Sequence, residues 1–313
     1  MRLATLDIGT NTAQLLVVER DGTGLRRLHA AERVVRLGEG VDAHGRIGAA
    51  ARDRLLHALH AHMQVARDYA VDTVSAAGTS ALRDAQNRTD ILAAVQAALG
   101  LSIDILAGDE EAAWSFAAAC AAFDDLRGPC LVVDIGGGST ELVAGRDPSR
   151  HRPAFPDAIT DRASLNVGCV RLTERCFSSQ PPPSKEIDTA AERIDEALAA
   201  SSLALDANPT LIGTAGTATA LARVDAGPET SWNTLHGSGF SLSGAAVRRW
   251  RDRLLQQTVD EIRALHPAAL KGRADVFPIG VMIMDSIMDR YDRDTCRVSP
   301  YELRHGLALR ALR

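Results

Sequence analysis

Cysteine and lysine are both scarce in this sequence. Five of the 313 residues are cysteines, and no two of them form a C-x-x-C pair. An odd and scattered set of this kind predicts reduced thiols rather than a disulfide framework, and it argues against a zinc site built from cysteines. Only Lys185 and Lys271 are lysines among the 35 basic residues, so almost every positive charge is an arginine. The formal net charge of −5 excludes a protein that binds nucleic acid through its overall charge.

Long apolar runs are also missing. No run in the sequence reaches the roughly 18 residues that a membrane span requires. The chain opens directly on a predicted strand, in MRLATLDIGT, with no pattern of a secretory signal there. The sequence therefore predicts a cytoplasmic protein that does not associate with a membrane.

Three histidines cluster in LLHALHAHMQ, namely His57, His60 and His62. Offsets of three and five residues do not place all three side chains on one face of a helix. We interpret them as surface histidines of an amphipathic helix rather than as metal ligands.

The length and composition are those of a globular enzyme. Hydrophobic residues make up 46% of the chain and charged residues 24%, which is ordinary for globular domains. A chain of 313 residues is too long for one small core and comfortable for two domains.

Two segments of the sequence resemble each other. DIGTNTAQLLV begins at Asp7 and DIGGGSTELVA begins at Asp134, and without a gap Thr12 meets Ser139. Each segment follows one short apolar run and leads into another, which predicts a β-hairpin with glycine and hydroxyl side chains in its turn. The backbone N–H groups of such a turn can hold an anion. Two of these hairpins predict duplicated domains that face one ligand.

Strands and helices alternate through the rest of the chain. LIGTAGTATALA, from residue 211, predicts a strand, a glycine-threonine turn and the start of a helix, which is a third possible phosphate site. TDILAAVQAALG predicts a helix with Thr89 as its N-cap and Gly100 at its end. Alternation of this kind is typical of an α/β fold.

These segments resemble the actin, Hsp70 and sugar-kinase superfamily and, more narrowly, the Ppx/GppA family of exopolyphosphatases and guanosine pentaphosphate phosphohydrolases. The matching segments follow the family's order from residue 7 to about 309, so the resemblance covers nearly the whole chain. The segments are DIGTNTAQLLV, AAGTSALRDAQN, AGDEEA, VVDIGGGSTELV, GTAGTATALA, KGRADVFPIGV and YELRHGLAL.

The resemblance implies an α/β fold with two ribonuclease-H-like (actin-like ATPase) domains and an active-site cleft between them. The N-terminal domain is expected to span residues 1–118 together with a C-terminal helix at about 300–313, and the C-terminal domain residues 119–299. A homodimer is also expected.

The same resemblance implies a hard divalent cation, Mg²⁺ or Mn²⁺, with Asp7, Asp134 and Glu141 as its protein ligands. Oxygen ligands suit such cations. It also implies phosphate binding by three turns. Their residues are Gly9, Thr10, Asn11 and Thr12 in the first, Gly136, Gly137, Gly138, Ser139 and Thr140 in the second, and Gly213, Thr214, Gly216 and Thr217 in the third.

Arg83 and Glu111 match the catalytic positions that the family resemblance implies. Arg83, at the start of a predicted helix, is expected to stabilise the charge of the phosphate under attack. Glu111 is expected to orient and deprotonate water, and Glu141 to position water or metal. Glu110 is expected to be solvated, although the sequence alone leaves open which neighbour is essential.

Other basic residues are candidates for guiding the rest of an anionic chain: Arg171, Arg175, Lys271 and Arg273. The sequence also departs from the family pattern. Gln14 stands where the family often has a basic residue, and Glu302 and His305 stand where glycine and glutamate are common. The terminal helix that carries the last two is expected to pack on the first domain.

The implied activity is hydrolysis of the terminal phosphoanhydride bond of polyphosphate, with release of orthophosphate. The alternatives are hydrolysis of guanosine pentaphosphate, a small-molecule kinase, and an actin-like nucleotide-binding protein. The sequence does not choose between polyphosphate and guanosine pentaphosphate.

Overall fold

A computed structural model describes residues 1–22, 24–146, 158–230 and 239–311. The chain divides into two compact units by its internal contacts. Unit 1 comprises Met1–Trp114 and Leu303–Arg313, and unit 2 comprises Ser115–Glu302. The predicted bounds of the two domains, at residues 118 and about 300, stay a prediction.

Unit 1 contains a five-stranded sheet in the order β3-β2-β1-β4-β5. Strand β1 pairs antiparallel with β2 and parallel with β4. The strands are β1 (Arg2–Ile8), β2 (Thr12–Asp21), β3 (Gly24–Val34), β4 (Thr73–Gly78) and β5 (Asp104–Ile105). The helices are α1 (Val41–His44), α2 (Ala49–Asp68), α3 (Ser80–Asp84), α4 (Arg88–Leu99), the first part of α5 (Gly108–Ala121), and α12 (Leu303–Arg310).

The core of unit 1 forms because α2 presents one apolar stripe to the sheet. Leu55 and Leu59 on α2 are fully buried together with Leu6 and Leu15 on the first hairpin. Residues spaced three and four apart share a face of a helix, and that stripe also includes His62, which is 1% exposed.

His62 therefore corrects one expectation from the sequence. The interpretation as a surface residue is wrong for His62, whereas His57 and His60 are exposed. The Nε2 atom of His62 lies 3.0 Å from the carbonyl oxygen of Ala13. Burial lowers the pKa of His62 below its ordinary value of 6.5, because a low-dielectric site disfavours the charged ring.

Helix α4 ends as predicted and begins elsewhere. Gly100 adopts the left-handed conformation, with φ of 64°, and its N–H group donates to the carbonyl oxygen of Gln96. Asn87, and not Thr89, is the N-cap residue. The Asn87 side chain bonds to both backbone groups of Ile47, at 2.9 and 3.0 Å, and so fixes the preceding loop.

The terminal helix α12 packs on the first hairpin of unit 1. Thr5 donates a hydrogen bond from Oγ1 to the carbonyl oxygen of Arg304, at 2.8 Å. Arg304 is buried and donates to the carbonyl oxygen of Leu15 at 3.3 Å. Ala308 packs with Leu3 in the small apolar cluster on that side of the sheet.

Unit 2 contains a six-stranded sheet in the order β10-β11-β9-β6-β7-β8. Strand β6 pairs antiparallel with β7 and parallel with β9. The strands are β6 (Pro129–Ile135), β7 (Thr140–Arg146), β8 (Ile159–Leu165), β9 (Thr210–Thr214), β10 (Ser241–Ser243) and β11 (Thr295–Val298). The helices after α5 are α6 (Cys169–Cys176), α7 (Ser184–Ala200), α8 (Ala215–Ala226), α9 (Gly244–Leu254), α10 (Val259–Leu265) and α11 (Phe277–Arg290).

The core of unit 2 is built around α11, which is buried on most of its circumference. Met284 and Ile287 of that helix pack in one cluster with Leu131 of β6 and Trp250 of α9. An all-round apolar helix of this kind belongs inside a domain rather than at its surface.

The α/β class predicted from the sequence is confirmed by the two sheets and their helices. All five cysteines are free, as predicted. None of the helices in the described ranges combines the length and the apolar character needed to cross a membrane.

Candidate functional site

The two predicted β-hairpins are both present, and their turns share one geometry. The N–H group of Gly9 donates to the carbonyl oxygen of Thr12 at 2.9 Å, and that of Gly136 donates to the carbonyl oxygen of Ser139 at 2.9 Å. A Cβ atom on Gly136 would lie 3.1 Å from that same carbonyl oxygen, so the turn closes tightly over the glycine.

The chain that follows β3 covers the first turn. The carbonyl oxygen of Asn11 accepts from the N–H groups of Val35 and Arg36, and that of Thr10 accepts from Gly38, all at 2.9 Å. Within the described ranges, no backbone carbonyl accepts from the N–H group of Thr10. Because the carbonyl oxygens of Thr10 and Asn11 already accept hydrogen bonds, the turn can bind a ligand through its N–H and hydroxyl groups.

The second turn is covered in the same way by the start of α6. Gly136 accepts from the N–H group of Cys169 at 3.0 Å, and Gly137 accepts from those of Val170 and Arg171 at 2.9 and 3.0 Å. Arg171 also donates from Nε to the carbonyl oxygen of Gly138 at 2.7 Å.

The N–H groups of Gly137 and Gly138 donate to no backbone carbonyl in the part of the chain that the structure describes. Successive N–H groups in a turn form a concave anion site, so this geometry suits a phosphate. The Thr140 hydroxyl is engaged elsewhere, since it donates to the carbonyl oxygen of Val167 at 2.6 Å.

Two carboxylates lie side by side at the end of the second hairpin. Asp134 on β6 is the register partner of Glu141 on β7, and the two residues are 8% and 2% exposed. Ser115 on α5 donates from Oγ to Oδ2 of Asp134 at 2.7 Å. Ser164 on β8 donates from Oγ to Oε1 of Glu141 at 2.9 Å.

This carboxylate pair fits a hard divalent cation. No group of three or more metal-binding side chains (His, Cys, Asp or Glu) is assembled among the described residues. Mg²⁺ is usually held by one or two carboxylates, with waters and substrate phosphates completing its shell, rather than by an all-protein cage. Asp134 and Glu141, next to the glycine turn, match that donor set, and Mn²⁺ accepts the same oxygen ligands.

The third predicted ligand, Asp7, occupies the equivalent place in unit 1. It is half-buried at the end of β1 and is the register partner of Gln14. Gln14 is 6% exposed and donates from Nε2 to Oε2 of Glu32 at 3.2 Å. The acidic side chain that unit 2 carries on its second strand is therefore an amide in unit 1.

Arg83 and Glu111 form an ion pair in unit 1. Arg83 lies in the last turn of the short helix α3, not at its start. Its Nη1 atom donates to Oε2 of Glu111 at 2.8 Å and to the carbonyl oxygen of Leu106 at 2.9 Å. Glu111 is 8% exposed in the first turn of α5, while the neighbouring Glu110 is exposed.

Burial raises the pKa of Glu111 above its ordinary value, and the hydrogen bond and charge of Arg83 oppose that rise. A carboxylate whose pKa lies closer to neutral pH is a stronger base. The arrangement can therefore accept a proton from water while Arg83 fixes one of its two oxygens.

The third predicted turn lies between β9 and α8 and is more enclosed than expected. Thr214 is fully buried and donates to the carbonyl oxygen of Tyr301 at 2.5 Å. The Thr217 hydroxyl lies 3.5 Å from the carbonyl oxygen of Ile135. A Cβ atom on Gly216 would lie only 2.0 Å from Nη1 of Arg273, so that guanidinium lies directly against the turn.

The remaining predicted residues are distributed over both units. Lys271 and Arg175 are exposed, Glu302 is buried, and His305 is half-buried on α12. The sequence did not single out Ser115 or Ser164. Ser164 is the register partner of Glu141 across β7 and β8, a pairing that the sequence does not show, and Ser115 stands out in the sequence only as a lone hydroxyl in the apolar stretch AAWSFAAAC.

Known proteins resemble this chain in both sequence and fold. Residues 16–313 match the Ppx/GppA phosphatase family. Exopolyphosphatase 2 of Mycobacterium tuberculosis is 33% identical, and the alignment covers 98% of each chain. The crystal structure of an exopolyphosphatase-like protein superposes with a TM-score of 0.89 at 30% identity over 100% of both chains. An exopolyphosphatase from Cytophaga hutchinsonii superposes with a TM-score of 0.87 at 25% identity over 100% of this chain and 98% of its own. The comparisons confirm the predicted family and its α/β fold.

Proposed function

Because the chain belongs to the Ppx/GppA phosphatase family, we propose that it is an exopolyphosphatase. It hydrolyses the terminal phosphoanhydride bond of inorganic polyphosphate and releases orthophosphate. The observation that carries the proposal is the ion pair of Arg83 with the buried Glu111, at 2.8 Å. An acid–base carboxylate next to a guanidinium meets the two needs of this reaction, a proton acceptor for water and a positive charge for phosphate oxygens.

Glu111 is the general base. Arg83 holds Oε2, and we assign Oε1 to the attacking water. Deprotonating that water as it attacks the phosphorus puts negative charge on the phosphoryl oxygens. The elevated pKa of Glu111 makes its carboxylate a better proton acceptor than an ordinary exposed glutamate.

Arg83 has a second role as the group that neutralises the developing charge. Its fork of N–H donors engages Glu111 and the carbonyl oxygen of Leu106 through Nη1. A guanidinium presents several donors in a plane, so it can bind a phosphoryl oxygen as well.

The glycine turns bind the phosphates. The N–H groups of Gly137 and Gly138, and that of Thr10 in the first turn, donate to phosphate oxygens, together with the hydroxyls of Thr12 and Ser139. This assignment is supported by the hydrogen bonds that engage the carbonyl oxygens of both turns. Gly9, Asn11 and Gly136 shape the turns. Thr140, Gly213, Thr214, Gly216 and Thr217 are assigned lesser roles, because the hydroxyls among them are bonded inside unit 2.

Asp134 and Glu141 would hold a hard divalent cation, Mg²⁺ or Mn²⁺, with Asp7 as the candidate third ligand. When bound, the cation would withdraw charge from the phosphate oxygens. The pairing of Asp134 with Glu141 across β6 and β7 supports this choice.

Arg171 and Arg273 bind the following phosphates of the chain, and Lys271 extends this positive surface. Arg171 is anchored on Gly138 and Arg273 lies against Gly216, so both are held close to glycine turns. We also propose that the enzyme works in the cytoplasm. We further propose that it is a homodimer, and sedimentation of the purified chain would test that oligomeric state.

The decisive experiment is orthophosphate release from long-chain polyphosphate and from guanosine pentaphosphate, measured in parallel with Mg²⁺. Wild-type protein is expected to release orthophosphate from polyphosphate, and Glu111→Gln to lose about 10²–10⁴ of the rate because proton transfer is lost. Glu110→Gln is the matched control, since Glu110 is the exposed neighbour.

Three results would contradict the proposal. Equal losses of rate in Glu110→Gln and Glu111→Gln would show that Glu111 is not the general base. Rapid release from guanosine pentaphosphate alone would change the substrate, and formation of ADP from ATP with an acceptor would indicate a kinase.

A further inference from the structure

We infer that Ser115 is a positioning residue that orients Asp134 for cation binding. The inference rests on the proposed function, since that proposal makes Asp134 a cation ligand. Its geometry is a hydrogen bond of 2.7 Å from Oγ of Ser115 to Oδ2 of Asp134.

Ser115 is a polar residue in an apolar part of its helix. It is fully buried, and the residues that follow it on α5 are Phe116, Ala117, Ala118 and Ala119, all fully buried as well. A buried hydroxyl without a hydrogen bond is costly. Serine in a helix often bonds back to the carbonyl four residues earlier, but its single proton is directed here to Asp134.

A carboxylate is planar, so fixing one oxygen fixes the direction of the other. Ser115 engages Oδ2 of Asp134 and thereby sets the rotation of the whole carboxylate about its last side-chain bond. Ser164 makes the corresponding bond to Oε1 of Glu141 from the other side of the pair. Groups that orient metal ligands in this way commonly change metal affinity by 10–100-fold when they are removed.

The two serines differ in how firmly they are held. Ser115 is fully buried on a helix, whereas Ser164 is exposed on β8, the last strand of its sheet. Water can replace the hydroxyl of Ser164 but has no comparable access to the position of Ser115. Ser115 therefore has the larger effect on the cation.

The test is Mn²⁺ binding to the full-length chain without substrate, measured from the electron paramagnetic resonance signal of free Mn²⁺. Ser115→Ala is expected to weaken Mn²⁺ affinity about 10-fold, and Ser115→Thr, which keeps the hydroxyl, to stay close to wild type. Ser243→Ala is the matched control, because it removes a serine hydrogen bond that caps α9 in the same unit and is expected to leave Mn²⁺ affinity unchanged.

A second readout separates orientation from loss of structure. If Ser115 acts through the cation, raising the Mg²⁺ concentration restores the activity of Ser115→Ala, while a merely destabilised protein would not respond. The Ser115→Ala and Ser243→Ala pair decides the question even if the extra methyl group of threonine disturbs packing.

Ser115→Ala with the Mn²⁺ affinity of wild type would overturn the inference, and so would wild-type protein that binds no Mn²⁺. Because binding is measured without turnover, failure of the proposed function gives a different result. In that case Mn²⁺ affinity depends on Ser115 although no substrate releases orthophosphate.

Discussion

Unit 1 and unit 2 carry the same hairpin in the same position of their sheets. The order β3-β2-β1-β4-β5 in unit 1 has its counterpart in β8-β7-β6-β9-β11 of unit 2, where β10 adds a sixth strand. Each hairpin turn is closed by the same glycine hydrogen bond, and the chain after the third strand covers it. The same turn backbone therefore occurs once in each unit.

The side chains on that shared backbone differ. A row of register partners crosses each sheet beside the turn, and unit 2 has two adjacent carboxylates in its row. In unit 1 an amide lies between two carboxylates. The row of unit 2 is Ser164, Glu141, Asp134 and Thr214, and that of unit 1 is Glu32, Gln14, Asp7 and Ala77.

The helix after the fourth strand differs as well. Arg83 lies six residues beyond Ala77, the register partner of Asp7. The same count from Thr214, the partner of Asp134, gives Ala220, which is buried. The ion pair of Arg83 with Glu111 therefore lies in unit 1, and the two adjacent carboxylates lie in unit 2.

The largest expected effect comes from removing the positive charge of Arg83, because the equivalent residue of unit 2 is Ala220. Arg83→Gln is expected to lower kcat on the order of 10³-fold, because a guanidinium stabilises charge on the transferred phosphoryl group. Arg83 also lowers the pKa of Glu111. Its loss raises that pKa, and since the base acts when deprotonated, the acid limb of the pH–rate profile moves to higher pH.

The measurement is the pH dependence of orthophosphate release for wild type and variant. Arg67→Gln, at an exposed position on α2, is the control and is expected to keep both the rate and the acid limb. An acid limb that stays in place, or moves to lower pH, would show that Arg83 does not lower the pKa of the catalytic Glu111.

Two glycines allow the covered turns of the two units to be compared directly. A Cβ atom on Gly38 would lie 2.2 Å from Cγ2 of Thr10, and one on Gly168 would lie 2.5 Å from the backbone carbonyl group of Gly137. Gly168 has an extended backbone that any residue can adopt, so space alone decides. Gly38→Ala is expected to lower the free energy of unfolding by about 1–3 kcal/mol through overpacking. Gly168→Ala is expected to lower it more, because the backbone of Gly137 cannot rotate away as a side chain can.

Urea unfolding checks this difference. The double variant Gly38→Ala with Thr10→Ser removes the clashing methyl group and keeps the hydroxyl, so it should recover most of the lost free energy of unfolding. Equal losses of unfolding free energy at the two glycines, or no recovery in the double variant, would contradict the prediction. Contacts other than these two clashes would then decide the stability of the turns.

The hairpins were predictable because their signals are local. Alternating apolar runs beside glycine-rich turns specify strands and a reversal within about ten residues, and the register confirms both hairpins. The strand and helix around Gly213 were predictable for the same reason.

What could not be predicted depends on partners far along the chain. His62 lies on the buried stripe of α2, where it donates a hydrogen bond to the carbonyl oxygen of Ala13, 49 residues earlier. Ser115 donates its hydrogen bond to Asp134, which lies 19 residues later in the chain. The N-cap residue of α4 is Asn87 rather than Thr89, and the side chain of Asn87 bonds to Ile47, 40 residues earlier. Composition and periodicity contain none of these pairings.

The smallest expected effect comes from giving unit 1 the acidic side chain of unit 2. Gln14→Glu replaces the buried amide that donates to Glu32 with a carboxylate, which then lies between Glu32 and Asp7 in the row. Like charges opposite each other on neighbouring strands cost roughly 0.2–1 kcal/mol. The loss in the free energy of unfolding is expected to grow as pH rises, because the carboxylates carry charge only after losing their protons.

Urea unfolding of this variant at acid and neutral pH is compared with Gln96→Glu, an exposed glutamine on α4 of the same unit, which should show little change. The reverse substitution in unit 2, Glu141→Gln, should weaken Mn²⁺ binding and have little effect on stability, because an amide oxygen can still accept from Ser164. If Gln14→Glu were as stable as wild type at neutral pH, the amide in unit 1 would not be required by charge. The difference between the two rows would then have to be explained by what each binds rather than by how each folds.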